Sequence, residues 1–313
     1  MDLKQLRALL AVSEHHSFST AARALHTVQS NVSTHIARLE REVGAVLIDR
    51  TTNALTAEGR VVAERARRIE AEFAALDSDV AALRDEIRGQ IRVGVIGTTA
   101  RWLVPPLLEA MEARLPLVHC VILDATTTSL IPQLVTGRID LAVVNAPIDD
   151  VDVSIEPLFD EDLVFVAPVG HPLAESDRVH LSDLAGHPLL LEAEGTTFRA
   201  ELDDQAAAFG IELTAQAEVD GMRLLASLAF TGFGAAVLPA SAAPGGDPTG
   251  KWRRMLIDDV ATREVVLARR RRGLPSPAER AVRALLTEVV EDAASSQSGI
   301  HPRTSAQRDN PNR

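Results

Sequence analysis

Apolar residues recur at helical intervals along the first forty positions. Leu3, Leu6 and Leu10 predict a helix over residues 3–14. SFSTAARAL, residues 17–25, predicts a short second helix, with Ser17 or Ser19 placed to accept its first backbone N–H bonds. A tight turn at 26–28 leads into a third helix. Val28, Val32, Ile36 and Leu39 give it one buried face, and Gly44 lies near its end. Two short helices joined by such a turn form a helix-turn-helix candidate. Residues 46–56 alternate weakly and contain Asn53, which suits a small β-hairpin, or wing.

The pattern then lengthens. Residues 57–88 contain no Pro, and Val62, Ala66, Ile69, Phe73, Leu76, Val80, Leu83 and Ile87 fall at alternating steps of four and three. That is a heptad seam, on a helix roughly 48 Å long. The seam predicts a homodimer paired through this helix; the alternative is a single helix lying on its own domain. From Gln90 the rhythm changes to short β-branched runs alternating with helical stretches. Residues 91–97, 120–125, 139–145, 163–168, 188–193 and 264–269 read as strands. Residues 130–138, 198–210, 220–232 and 276–290 read as helices. The last opens with Ser276, Pro277 and Glu279, a capping box. This alternation predicts a parallel α/β sheet, and its length of roughly two hundred residues suggests two lobes. The polar segment 295–313 reads as a disordered tail.

Composition sharpens the picture in two places. Aromatic residues make up only 3% of the chain and Tyr is absent, so packing rests on Ala, Val and Leu. The net charge of −12 is not that of a uniformly basic nucleic-acid binder. Residues 1–68, however, hold ten Lys or Arg against seven Asp or Glu, a net of +3, so the basic surface is concentrated at the N-terminal end. Cys120 is the single cysteine, which rules out an intramolecular disulfide and fits a reducing compartment. No apolar run resembles a secretory signal or a membrane span, so a soluble, cytoplasmic protein with no membrane partner is expected.

The third helix carries unusual surface chemistry. Between its apolar positions stand Gln29, Ser30, Asn31, Ser33, Thr34, His35 and Arg38, with no acid before Glu40. Groove edges of DNA offer donors and acceptors that amides, hydroxyls and guanidinium groups match, whereas carboxylates would meet phosphate repulsion. Gln29, Ser30 and Asn31 occupy the first turn, where helix-turn-helix proteins touch bases. Pattern alone also admits a solvated polar helix in a structural bundle.

LxQLRxLLAV, SFSTAARxL, VQSNVSTHIxxLE, VGxxLIxR and LTAEG, followed by IRVGV, LVTGRIDLAVV, VAPVGHPLA and LAFTGFGAAVLP, resemble the LysR-type transcriptional regulators over about residues 1–292. The resemblance implies a winged helix-turn-helix DNA-binding domain at 1–58 and a dimerising linker helix at 59–89. It implies a two-lobed, periplasmic-binding-protein-like α/β effector domain, with lobe I at 90–163 and 267–292 and lobe II at 164–266. Residues 293–313 form the tail. The expected partners are double-stranded operator DNA, a small-molecule co-inducer and a second copy of the chain, in dimers or tetramers, with RNA polymerase as a further candidate. The family often has Pro where Ser30 stands and Phe where Ile48 stands. The wing also lacks the basic residues often found there, so Arg50 is its main candidate for a phosphate contact.

In a fold of this kind the co-inducer lies between the lobes. The strand GVIG runs into Thr98-Thr99 just before a helix, and Thr196-Thr197 precede the helix starting near Phe198. Free N–H groups at helix starts take anions and polar oxygens. The resemblance places Thr98, Thr99, Thr127, Asn145, Thr196, Phe198 and Phe233 around the cleft, whose ligand is expected to be small and polar, with a carboxylate as one candidate. Each threonine taken singly also reads as an ordinary cap.

Other features read blandly. GVIGTT is not a nucleotide loop. The run at Arg269–Arg272 reads as a solvated strand end. His15-His16 lacks a second ligand pair at metal spacing, and Cys120 beside His119 starts an apolar strand and reads as structural. No catalytic constellation is legible, so no enzyme activity, metal or cofactor is expected. An α/β enzyme with a dimerisation arm and a transporter's solute-binding protein are the competing classes. The first lacks a nucleophile–base pair, and the second lacks a secretory signal.

Overall fold

Three short helices open the chain because each has its own local stop and start. The computed structural model describes residues 1–83, 86–243, 245–246 and 249–303, and leaves aside the side chains of residues 74, 77 and 78. Helix α1 (Leu3–His15) begins at Asp2, which accepts from the Gln5 backbone while the Gln5 side chain accepts from the Asp2 N–H. Helix α2 (Phe18–Ala24) is capped by Ser17, and α3 (Gln29–Val43) stops at Gly44, whose φ of 77° is left-handed. Their apolar faces, with Leu6, Leu9, Phe18, Val32, Ile36 and Leu39, close over Leu47, Ile48, Ala63 and Ala66 in one core. The expected wing hairpin is a tight loop held by a single bridge, Ile48 to Leu55, with Asn53 at φ 55°.

Helix α4 (Ala57–Ala82) starts at Thr56, whose hydroxyl accepts from the Gly59 N–H at 2.9 Å. A Cβ at Gly59 would sit 2.0 Å from the Leu47 carbonyl oxygen, so only glycine lets the helix lie this close to the wing. The helix ends six residues before the expected 88. Ile87 does not continue its seam: it packs, partly buried, against the core of the α/β region. A period of seven extrapolates past the point where an apolar residue finds another partner. At the other end Val62 and Ala66 pack on the N-terminal core, which leaves Ile69, Phe73, Leu76, Val80 and Leu83 as the exposed apolar stripe.

The α/β region forms two six-stranded sheets. The first is ordered β12-β4-β11-β3-β1-β2, from β1 (Gly89–Val95), β2 (Val118–Asp124), β3 (Leu141–Asn145), β4 (Val153–Glu161), β11 (Arg263–Arg270) and β12 (Ile300–Pro302). The second is ordered β6-β10-β5-β9-β7-β8, from β5 (Leu163–Pro168), β6 (Arg178–Val179), β7 (Leu189–Glu192), β8 (Ala215–Val219), β9 (Ala235–Pro239) and β10 (Trp252–Ile257). Helices α5 (Gly97–Arg114), α6 (Thr127–Val135) and α9 (Pro277–Ala294) belong to the first lobe. Helices α7 (Thr197–Ala208) and α8 (Met222–Phe230) belong to the second.

Three expectations are corrected here. The sheets are mixed rather than parallel: β1 runs parallel to β2 and β3, but β11 is antiparallel to both β3 and β4, and β5 is antiparallel to β9 and β10. The chain crosses between lobes twice, and each returning strand enters its sheet against the βαβ direction. The second crossing ends at Arg263, four residues before the expected boundary, because β11 begins there in register with Glu161 of β4. Third, part of the expected tail is ordered. Helix α9 runs to Ala294, and β12 pairs with the edge of β4. Ile300 is buried there, and Arg303 makes two hydrogen bonds of 2.8 Å to Asp160. Polar composition concealed one apolar anchor and one arginine fork. Residues 304–313 lie outside the described residues.

Candidate functional site

The exposed face of α3 is built by what it excludes. Gln29, Ser30, Asn31, Thr34 and Arg38 are exposed, and Ser33 and His35 are half-buried. The first turn is tied to its neighbours. Ser19 donates to Gln29 Oε1 at 2.8 Å, and Asn31 donates to Thr27 Oγ1 at 3.0 Å. Thr34 bonds back to the Ser30 carbonyl, and His35 Nδ1 is buried without a partner. Of the two acids in the helix's last turn, Glu42 is tied to the N-terminal ammonium and Gln5, and Glu40 is turned inward. Its carboxylate accepts from the Leu47 and Ile48 N–H groups and from Arg50 at 2.9 Å, so it fastens the wing instead of facing outward. Arg50 also lies over the Phe18 ring at 5.0 Å. The Arg50 guanidinium is therefore held beside the end of α3, with its side chain still 48% exposed.

The second site lies where the lobes meet. Helix starts from both lobes stand at the carboxyl ends of parallel strands, the usual crevice for ligands in open α/β sheets. Thr98 and Thr99 follow β1, and Thr127 follows β2, its hydroxyl accepting from the Asn145 N–H at the end of β3. Thr196 caps α7 through the Arg199 N–H. The Thr99 hydroxyl and Asn145 Oδ1 are buried without partners.

What brings the lobes together is a residue that sequence reasoning missed. Arg263, at the start of β11, donates to the fully buried Glu161 carboxylate through Nε at 2.8 Å. Its Nη2 also donates to Thr98 Oγ1 at 3.4 Å, and its guanidinium lies 5.9 Å from the Phe198 ring centroid. One side chain thus touches the hinge, the first lobe's helix start and the second lobe's helix start. Glu161 is held from the other side by the Ser241 N–H. Burial pushes the Glu192 and Glu201 carboxyls up, against the pull of the nearby Arg263 charge. A second ion pair, Asp124 with Arg223, joins β2 to α8 across the lobes beside Gly97, where a Cβ would lie 2.6 Å from Arg223 Nε. Phe233, in the turn between α8 and β9, is 59% exposed and makes none of these contacts. In the sequence Glu161 is the middle of three consecutive acids, Asp160 to Asp162, and Arg263 stands beside Glu264, so neither is marked out from its neighbours. Their pairing register, 102 positions apart, was the only signal, and it is not local.

Among the described residues no group of three or more His, Cys, Asp or Glu could hold a metal ion, and no helix is long and apolar enough to cross a membrane. Cys120 lies on β2, and burial pushes its thiol up to about 11.

Comparison with known proteins bears on both sites. Residues 3–60 match the bacterial regulatory helix-turn-helix proteins of the lysR family, and residues 84–291 match the LysR substrate binding domain. A probable hydrogen peroxide-inducible genes activator of Mycobacterium leprae is 36% identical over 247 residues, covering 76% of this chain and 78% of that protein. A protein of the same description from Streptomyces viridosporus is 32% identical over 299 residues, covering 93% of this chain and 95% of that one. Among solved structures, a full-length OxyR variant from Pseudomonas aeruginosa superposes with a TM-score of 0.76 at 25% identity, covering 97% of this chain and 98% of that chain. A helix-turn-helix, a long helix and a two-lobed α/β fold, in that order and matched along nearly the whole length, make the chain a member of the LysR family of DNA-binding transcriptional regulators.

Proposed function

We propose that α3 enters the major groove of operator DNA with Gln29, Ser30 and Asn31 against base edges. Ser33, Thr34, His35 and Arg38 follow along the groove, and Arg50 neutralises a backbone phosphate. The observation that carries this reading is that the first three turns of α3 hold no acid, while in its last turn Glu40 turns inward and Glu42 is tied to the N-terminal ammonium and Gln5. Two copies pair through Ile69, Phe73, Leu76, Val80 and Leu83, which repeats the reading helix for two half-sites. Pairs of dimers and contact with RNA polymerase extend the same arrangement.

DNA binding is tested by gel retardation and footprinting on the DNA beside the chain's own gene. Arg50→Ala weakens binding on every sequence and flattens the salt slope by about one. Gln29→Ala relaxes preference at one position by about 1–3 kcal/mol. Folded protein that retards no DNA at low salt overturns the reading, as does an equal loss on all sequences for Gln29→Ala.

The effector occupies the interlobe cleft, bounded by Thr98, Thr99, Thr127, Asn145, Thr196 and Phe198. Arg263 is the positioning residue that senses it from the hinge. Because Glu161 already neutralises Arg263, and Glu192 stands beside Thr196, the cleft favours a small polar molecule of low net charge over a polyanion. The names of the two relatives concern hydrogen peroxide-inducible genes. A thiol switch does not suit this chain's own cysteine, which burial keeps protonated near neutral pH. Reversible ligand binding is the signal proposed instead. A metabolite screen by thermal shift should yield a ligand whose effect is lost in Thr98→Val. Unchanged footprints with and without that bound ligand would sink the proposal.

A further inference from the structure

The molecule holds a cavity apart from the interlobe cleft. It lies between the N-terminal domain and the first lobe, has a volume of about 1030 Å³, and is walled by α1, α4, β1 and the turn after α6. Arginines enter it from each wall: Arg7 from α1, Arg67 from α4, Arg92 from β1 and Arg138 from the turn. Several of its charges are already matched. Arg7 donates to Glu70 at 2.7 Å, and Arg270 bonds the Leu134 and Ile139 carbonyls and stands 3.6 Å from Asp140.

Arg67 and Arg138 are different. Among the described residues neither guanidinium has an ion pair, and Nη2 of Arg67 is buried with no hydrogen-bond partner at all. Burial, with the like charge of Arg138 as a smaller contribution, holds Arg67 below the ordinary guanidinium value. Glu14, which also lines the cavity, and Glu64 oppose that shift without pairing with Arg67. Glu72 and Glu279 also line the cavity, and burial pushes the Glu279 carboxyl up, which reduces its value as a counter-ion. Arg67 is half-buried with a buried donor left unused, which is costly, and the exposed Arg138 charge facing the same space adds repulsion. An oxyanion between them turns the repulsion into charge-assisted hydrogen bonds, for which the planar guanidinium fork is well shaped.

We propose that this interdomain cavity is a second ligand site that takes a small, multiply charged oxyanion between Arg67 and Arg138. Arg67 belongs to the linker helix and Arg138 to the first lobe, so an occupant pins the two together and fixes how the reading head is carried. The site adds to the effector reading above and does not depend on it.

Titration calorimetry on the full chain tests it, with inorganic phosphate in one arm and citrate in the other, at matched ionic strength. Saturable binding of at least one is expected, and the tighter of the two identifies the class of oxyanion. Arg67→Gln and Arg138→Gln should each weaken it about tenfold. Thr98→Val, in the other cleft, should leave it unchanged. Arg138 is exposed on a turn, so its variant carries the test if Arg67→Gln fails to fold. No saturable heat up to about 10 mM in either arm overturns the proposal. So does binding that survives in both arginine variants, or binding that Thr98→Val abolishes. If Arg138→Gln instead dissociates the oligomer while neither anion binds, a second copy of the chain fills the cavity, and the proposal is equally lost.

Discussion

Removing the Arg263 side chain while leaving Glu161 in place isolates the buried pair at the hinge. Glu161 is fully buried, the Arg263 side chain is 9% exposed, and the carboxylate's remaining partner is the Ser241 N–H at 3.1 Å. Arg263→Met keeps the length of the side chain and strands the carboxylate in a dry site. Breaking one partner of a buried pair costs about 3–5 kcal/mol, because the surviving charge loses its counter-ion but not its desolvation. For a domain of roughly two hundred residues that lowers the melting temperature by roughly 6–20 °C. Calorimetry of the full chain reads this in the effector-domain transition, whereas the N-terminal domain should melt as before. The double variant Arg263→Met with Glu161→Leu is the decisive arm. It removes both charges, so it should be milder than Arg263→Met alone. Additive losses, or a single-variant loss below about 1 kcal/mol, would refute the claim that this pair is a buried, coupled unit.

Gly59→Ala should lower the stability of the N-terminal domain by roughly 1–3 kcal/mol, because the new Cβ meets the Leu47 carbonyl and backbone must move; a melting transition shifted only in the effector domain would contradict this. Phe73→Asp places a charge in the exposed stripe of α4, where Phe73 is 55% exposed and Leu76 60%, and light scattering should report monomers in place of dimers; an unchanged mass assigns pairing elsewhere. Cys120 should be alkylated ~300-fold more slowly at neutral pH than a free thiol, from the difference between about 11 and about 8.5 in pKa; reaction at the free-thiol rate would refute its burial. Its raised value also has a sign for stability. The folded state holds the proton more tightly than the unfolded one, so stability is full below about pH 8.5 and falls as pH rises through about 11.

Local rules carried much of the N-terminal half. Apolar spacing, a serine before α2 and Gly44 after α3 act within a turn or two of the residues they govern, and α3 itself was legible with its buried and polar faces. The same locality limits the reading. The heptad pointed to Ile87, which lies instead against the α/β core, and composition assigned a disordered tail where Ile300 and Arg303 close an edge of β4.

The order of elements, the acid-free first three turns of α3 and the apolar stripe of α4 were fixed by residues that lie close together along the chain, so they could be read from it. Strand direction, the inward turn of Glu40, the reach of Arg263 from hinge to both helix starts, and the arginine-walled cavity were decided by tertiary structure alone. Each depends on contacts between separate elements, seven to ten positions apart for Glu40 and its partners and 102 apart for Arg263 and Glu161. Charges carry no periodicity that announces such a partner; only the completed sheets and packed domains bring them within reach.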